Sequence, residues 1–530
     1  MRDMCAGRYK PAMAEEIELK LRLAPDRVAS LKRAVRSRAV EQARGRARRL
    51  VSVYFDTPRL DLQSFGAALR IRQQGQRRLQ TLKLPTEDAS GLQVFQEIER
   101  PVAADLPDLA GVGDESFATY LGDRNIIPNL TALFATDFRR TIWPVQVSDG
   151  SIEAALDVGE IRAGERRLPI CEVELELKSG TPERLLELAL ALHREVPLAW
   201  EYETKAARGY RLAANEALPP RRARPVQLSH EATARAAFAA IAGACLEQIR
   251  ANEACARLGE DAEGVHQFRV GLRRLRALVG AYRRAMAADF SVYLAKELDW
   301  LQTQFGAARD WDVFIAESLQ RLQMRLPADP AVSAMLRAAA SLREEGYRTM
   351  RAALDDPRYT ELLLQLQAAL MGGSWGAPAE VGGDLLDRPV VEFARMILDK
   401  RYRRFRKIGG KRADLPEEDL HRLRIAGKKL RYVADFFRSL YPKKPASKFI
   451  AALAEVQDQL GSLNDAVVSR QLLLALEGRI ANANDIEAAR HASGLVLGWQ
   501  AARIDRDLAG FQTTWRKLRQ RPPFWSDDVR

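Results

Sequence analysis

EIELKLRL (Glu16–Leu23) and CEVELELK (Cys171–Lys178) alternate charged and apolar residues one for one. That period of two is the pattern of a β-strand, whose successive side chains point to opposite faces. In the first stretch Glu16, Glu18 and Lys20 share a face, with Ile17 and Leu19 on the other. Working outward, the alternation recurs in ALRIRQQ (Arg70, Arg72), LQTLKLP (Lys83) and VFQEIER (Glu97, Glu99). One charged strand face is ordinarily just a solvated face. Acid faces and base faces recurring in strand after strand carry a different meaning. Closed into a barrel, they put a carboxylate cluster beside a cluster of Lys and Arg in one lumen. Neither cluster is stable alone, and a metal complex of a short phosphate chain satisfies both.

Helical spacing interrupts the strands near residues 25–40 and 182–195, so the first part, residues 14–213, is predicted as α+β. Met13 directly precedes the first patterned segment and is read as the native start. ALPPRRARPVQLS (217–229), with three prolines, cannot continue a helix or pair inside a sheet, so 214–228 reads as a linker. From 229 to 519 the chain is rich in Ala, Leu, Arg and Glu with helical periodicity.

The helical part repeats itself. VHQFRVGLRRLRALV from Val265 aligns with LHRLRIAGKKLRYVA from Leu420, and at the same shift LQTQFGAARDWD from Leu301 aligns with VQDQLGSLNDAV from Val456. Two bundles, about 229–383 and 384–519, are therefore expected. In the first copy His266, Arg269, Arg273 and Arg276 form a basic stripe; in the second His421, Arg424, Lys428 and Arg431 repeat it, with Arg274 and Lys429 flanking. The aspartates of ARDWD and SLND read as helix caps or as charge partners of the stripe. Arg403, Arg404, Arg406 and Lys407 extend the positive surface.

The 530-residue chain carries a net charge of +13, which favours anionic partners without choosing among them. Its four cysteines, Cys5, Cys171, Cys245 and Cys255, show no paired or metal-ligand spacing, and no apolar run approaches the ~18 residues of a membrane span. A cytoplasmic protein is the expectation.

EIELK, YFDTP (54–58), LRIR, LKLP, EIER, ALDVG (155–159), CEVELE and ETKAARGY (203–210) together resemble the CYTH superfamily of triphosphate tunnel metalloenzymes. The resemblance implies an eight-stranded antiparallel tunnel barrel, hydrolysis of triphosphates and dependence on Mg²⁺ or Mn²⁺. Position by position it implies metal-side acids at Glu16, Glu18, Asp157, Glu172 and Glu174, with Glu176 as an addition. It implies phosphate-holding bases at Lys20, Arg70, Arg72, Lys83 and Lys205, and an arginine in DFRRTIW, Arg140 in preference to Arg139. Glu97 and Glu99 match an acidic pair of open role. All-oxygen ligation suits a hard divalent cation.

HQFRVGLRRLR with RDWDVF, and HRLRIAGKKLRYVADFF with LGSLND, resemble the CHAD domain, a conserved-histidine α-helical domain. That resemblance implies two four-helix bundles around a basic groove for inorganic polyphosphate. His266, Arg269, Arg273, Arg276, His421, Arg424, Lys428, Lys429 and Arg431 are its candidate contacts, and association with polyphosphate granules would follow. The expected activity is cleavage of inorganic triphosphate to diphosphate and phosphate. ATP cyclisation, thiamine triphosphate hydrolysis and a non-catalytic granule adaptor stay open beside it. Specific nucleic-acid binding is not expected, since stacking platforms and a recognition motif are lacking.

Overall fold

The computed structural model describes residues 14–526, apart from 41–44, 76, 86–91, 110–114, 216–217, 379–381, 411–415 and 480–482. Cys5 and Met13 lie outside the described residues. The chain divides into two compact units, Met1–Leu218 with Asp355–Gly373, and Pro219–Leu354 with Ser374–Arg530.

The first unit is a closed antiparallel barrel of eight strands: β1 (Ala14–Arg22), β2 (Arg46–Asp56), β3 (Ala68–Gln74), β4 (Arg77–Pro85), β5 (Gln93–Pro101), β6 (Thr131–Val147), β7 (Gly150–Ala163) and β8 (Arg166–Ser179). β1 closes it by pairing with both β5 and β8, and a two-residue strand, β9 (Ala199–Trp200), adds to the end of β1. Each strand's alternation is used inside out, with the charged face lining the lumen and the apolar face turned outward. Helices cover that outer face. Five belong to this part of the chain: α1 (Val28–Arg36), α2 (Asp61–Phe65), α3 (Glu115–Asp123), α4 (Glu183–Glu195) and α5 (Lys205–Ala214). Leu69, Ile71, Leu82, Leu84 and Ile98 of β3–β5 share a buried cluster with Leu62 of α2 and Phe117 and Leu121 of α3. On the other side α1 and α4 pack on each other and reach β1, β6 and β8. At one end the lumen itself turns apolar, where Leu50, Tyr54, Phe134, Phe138 and Ile161 meet Tyr210 of α5.

After the barrel strands the chain continues as helices: α6 (Ala234–Leu258), α7 (Ala262–Tyr282), α8 (Ala288–Gln304), α9 (Gly306–Phe314), α10 (Gln320–Arg325), α11 (Pro330–Asp355), α12 (Pro357–Gly372), α13 (Val390–Gly409), α14 (Glu417–Phe437), α15 (Lys443–Gln459), α16 (Gly461–Glu477) and α17 (Ala483–Gln520). One of these twelve departs from the series. α12 packs on α4 and β9, and so belongs to the barrel unit. Pro357 at its start accepts a hydrogen bond from His193 Nε2 at 2.9 Å, while His193 Nδ1 accepts from the backbone N–H of Leu198 at 3.1 Å. Both nitrogens of that buried ring are thereby satisfied.

The duplication holds to the residue in the helix boundaries. α7, α8 and the start of α9 fall on α14, α15 and the start of α16 at one constant shift. The copies diverge afterwards, where the first breaks through a π-helical turn at Ile315–Leu319 and the second continues as one helix. They share a core: Trp311, Phe314, Val332 and Met335 pack with Leu473, Leu476, Ala492 and Val496.

Candidate active site and basic grooves

Strand alternation and ring closure together bring the charged faces to a single cavity of about 560 Å³. Glu16, Glu18, Lys20, Arg70, Arg72, Lys83, Arg140, Glu174, Glu176 and Lys205 line it, as do Glu97 and Glu99. Asp157 and Glu172 lie just behind, both fully buried. Arg140 points inward and grips Asp157 (2.7 and 2.6 Å) and Glu174, whereas Arg139, one residue earlier on β6, is exposed. Pleating puts the two arginines on opposite faces, with Arg140, preferred from the sequence, on the inner one.

The deepest charges form one network. Lys205 Nζ sits 2.8 Å from Asp157, 2.5 Å from Glu172 and 2.7 Å from Glu174. It stands at the first position of α5, whose N-cap Thr204 accepts from the N–H of Ala207 at 3.0 Å. A helix N-terminus disfavours a cation and favours anions. Lys205 is held there by three carboxylates that the same helix end attracts. Burial works against charging these acids, yet Lys205, Arg140 and Lys20 hold Glu174 well below the ordinary carboxylate range, and Lys205 and Arg208 lower Glu172.

Near the opposite wall the balance reverses. Lys83 bonds Glu16 at 2.7 Å and Glu97 lies 3.4 Å from it, while Arg70 reaches Glu97 at 3.1 Å. Burial, then a hydrogen bond shared with Glu97, raises the Glu16 carboxyl. Glu176 is raised as well, by burial and by Glu16 and Glu153, against the pull of Lys178. Among the described residues Arg72 forms no ion pair, although Tyr54 and Glu99 act on it favourably. Burial and the neighbouring Arg70 and Arg140 push it down to about 9, and its Nε reaches only the Ser52 hydroxyl at 3.3 Å.

This donor set fits a hard divalent cation. Ligand oxygens of Asp157, Glu172 and Glu174 lie within 4.8 Å of one another, all from buried residues. Glu16 and Glu176 are carboxyls whose burial and mutual repulsion a cation would relieve. Arg72 is the anion-seeking counterpart.

Reading the sequence missed several participants. Arg208, buried three residues after Lys205, ion-pairs with Glu172 and reaches Glu201 at 3.6 Å. Its position in ETKAARGY, one helical turn from Lys205, was the available signal. Arg48, Glu153 and Lys178 also line the cavity; for Lys178 the signal was the alternation of CEVELELK, which continues from Glu176 on the same face, while nothing local marks Arg48 or Glu153.

In the helical unit α7 and α14 pack together, and their stripes line two cavities of about 900 and 330 Å³. Arg273, Arg424 and Lys428 border both; Arg276 and Lys429 border the larger, with Arg401 and Arg404 of α13; His266 and Arg269 border the smaller, with Arg309 and Arg503. Neither cavity is lined by His421 or Arg431. The two equivalent histidines differ in setting: His266 is half-buried, and burial with Arg309 nearby depresses it to about 4, while His421 is exposed. Arg274 turns into the core, donating to Gln248 at 2.8 Å. Asp310 and Asp465 are not caps, since Phe305 and Leu460 hold those positions. They enter the smaller cavity among Arg269, Arg309, Arg424 and Arg503 as charge partners.

A closed antiparallel barrel with acids and bases converging in its lumen, joined to a duplicated basic helical unit, defines a tunnel-and-bundle protein. Residues 14–210 match the family model of the CYTH domain and 240–474 that of the CHAD domain. The solved CHAD domain of the plant Ricinus communis is 32% identical, with a TM-score of 0.50, and the match covers 58% of this chain and 99% of that one. This chain belongs to the CHAD family and carries a CYTH domain ahead of that module. An inorganic triphosphatase of Haemophilus influenzae is 33% identical over 207 residues, 39% of this chain and 57% of that protein. An uncharacterised protein of Mycobacterium tuberculosis is 27% identical over 267 residues, 48% of each. The chain thus spans about half the length of the curated relatives it matches.

Proposed function

We propose that the barrel hydrolyses inorganic triphosphate to diphosphate and phosphate with the help of Mg²⁺ or Mn²⁺, and that the grooves of the helical unit hold inorganic polyphosphate. The observation that carries the reading is the convergence of charged side chains from all eight strands on one 560 Å³ cavity holding both acids and bases. The triphosphatase of Haemophilus influenzae, similar over this part of the chain, supports the same substrate class.

Glu16, Glu18 and Glu176, with Asp157, Glu172 and Glu174, would hold the cation. When bound, it neutralises phosphate charge and strengthens the electrophilic character of the phosphorus under attack. Lys20, Arg70, Arg72, Lys83, Arg140 and Lys205 bind and orient the phosphate chain. They also stabilise the charge that shifts toward the leaving diphosphate. Water is the nucleophile, and no side chain is required to form a covalent intermediate. The buried walls exclude bulk solvent, so each of these charges acts at greater strength than in water.

In the helical unit the basic grooves are rich in Arg and Lys, with a single Tyr or Phe ring each among the described residues, Tyr432 in the larger and Phe314 in the smaller, rather than a row of stacking platforms. That favours a phosphate polymer over nucleic acid. Among the described residues no helix is long and apolar enough to cross a membrane. A cytoplasmic place at polyphosphate granules accords with this reading.

The test is phosphate release from inorganic triphosphate, ATP and thiamine triphosphate with Mg²⁺ or Mn²⁺, comparing the full chain with Glu16→Ala. Inorganic triphosphate is expected to be the preferred substrate, and Glu16→Ala to lose about a hundredfold or more in kcat. An inactive full chain on all three would favour a polyphosphate-binding adaptor, and retention of DNA over long polyphosphate at matched salt would overturn the assignment of the grooves.

A further inference from the structure

The YFDTP stretch divides into two jobs. Asp56 is fully buried and its carboxylate accepts from the N–H groups of Thr57 (2.7 Å), Leu62 (2.8 Å) and Gln63 (2.8 Å), which builds the turn into α2. Thr57 donates its hydroxyl to Asp61 at 2.5 Å, and Phe55 joins the outer core. Tyr54 takes no part in that turn. The register of β2 against β6 slips between Tyr54 and Phe55, a bulge of the kind that re-aims a side chain beside an active site.

Tyr54 lines the tunnel at 3% exposure, its ring stacked on Phe134 with centroids 4.6 Å apart and planes 14° from parallel. Arg70 stands directly opposite it in the β2–β3 register, and Arg70, Arg72 and Lys205 are the positive charges that act on its phenol. Guanidinium and ammonium groups only donate. The phenol oxygen can therefore serve them only as an acceptor, and among the described residues no hydrogen bond from its O–H is found. A buried donor fixed by stacking and surrounded by cations is complete only when an anion arrives.

We propose that Tyr54 is a further substrate-contacting residue of the tunnel, its hydroxyl donating a hydrogen bond to a non-bridging oxygen of the phosphate chain held by Arg70, Arg72 and Lys205. This rests on the reading that a phosphate chain occupies the tunnel. It adds a neutral donor to an otherwise cationic cradle, and the donor sits on the side of the cavity that adjoins the apolar end.

Tyr54→Phe in the full chain tests it, since the ring and its stacking on Phe134 are kept. Inorganic triphosphate titrated calorimetrically without added metal is expected to bind the variant about tenfold more weakly, the cost of one hydrogen bond to a charged group. Under assay conditions kcat/KM for inorganic triphosphate should fall by at least the same factor, with the melting temperature unchanged. A variant that binds and turns over like an active wild type overturns the role of Tyr54 and leaves the tunnel reading intact. So does a loss that appears only with a matching fall in melting temperature. A wild type that neither binds nor cleaves the compound overturns the tunnel reading, and this inference with it.

Discussion

Barrel lumen and helical grooves both gather cations, but they manage the repulsion differently. In the lumen most bases have carboxylates at hand: Lys205 has three, Arg140 two, and Lys83 and Arg70 share Glu97. In the grooves cations mostly face cations. Burial and the neighbouring Arg424, Arg273 and Arg431 push Lys428 down to about 7, and burial with Arg273 and Arg309 pushes Arg269 down to about 10. Hydrogen-bonded strands can hold opposite charges in contact at fixed register, whereas packed helices hold like charges apart on stiff rods. A self-neutral site has to exchange its own ion pairs for a ligand's, which favours one small, geometrically matched ligand. A site of excess positive charge, relieved only in part by Asp299, Asp310 and Asp465, gains from any sufficiently long polyanion.

Breaking the neutrality of the lumen should produce the largest effect. Lys205→Met keeps the buried stem and strands Asp157, Glu172 and Glu174, and losing one partner of a buried ion network costs about 3–5 kcal/mol. Denaturant unfolding is expected to show a loss of that order, partly recovered by millimolar Mg²⁺. Equal stability of the variant and wild type would mean that the three acids are not charged together in the native state.

Next in size is the response to salt. Polyphosphate binding to the grooves should release counterions, so its affinity should fall by about a hundredfold or more between 50 and 200 mM salt. KM for inorganic triphosphate in the self-paired lumen should move much less. Parallel slopes at the two sites would erase the distinction drawn above.

The smallest effect is in pH. A lysine already neutral above about 7 takes up a proton when a polyanion binds, so affinity should be flat below pH 7 and fall above it, by at most about tenfold per unit. Lys428→Arg should flatten that slope without abolishing binding, as calorimetry between pH 6 and 9 would show.

Much of the site was legible before the fold was seen. Inward residues on one strand are two apart, so Glu16, Glu18 and Lys20, or Glu172, Glu174 and Glu176, declare themselves together once a strand is recognised. Residues whose partners arrive from elsewhere did not declare themselves. Arg48 faces Arg140 only through the β2–β6 register, and Arg208 meets Glu172 only because α5 folds back against the barrel. The repeats show the same limit. The constant shift gave the equivalence of His266 and His421, but not their different settings: Arg309, which acts on His266, falls on Asn464 in the second copy and has no basic counterpart there.

By itself the sequence determined the faces: period-two alternation set which side chains share the lumen, and the internal repeat set which residues of the two copies are equivalent. Only the tertiary structure decided which acid neutralises which base, and that α12, drawn from the middle of the helical region, packs on α4 of the barrel unit. The physical reason is range. Side-chain direction follows from local backbone geometry, but pairing and burial depend on groups far apart in the chain, and ring closure brings them within 3 Å of each other.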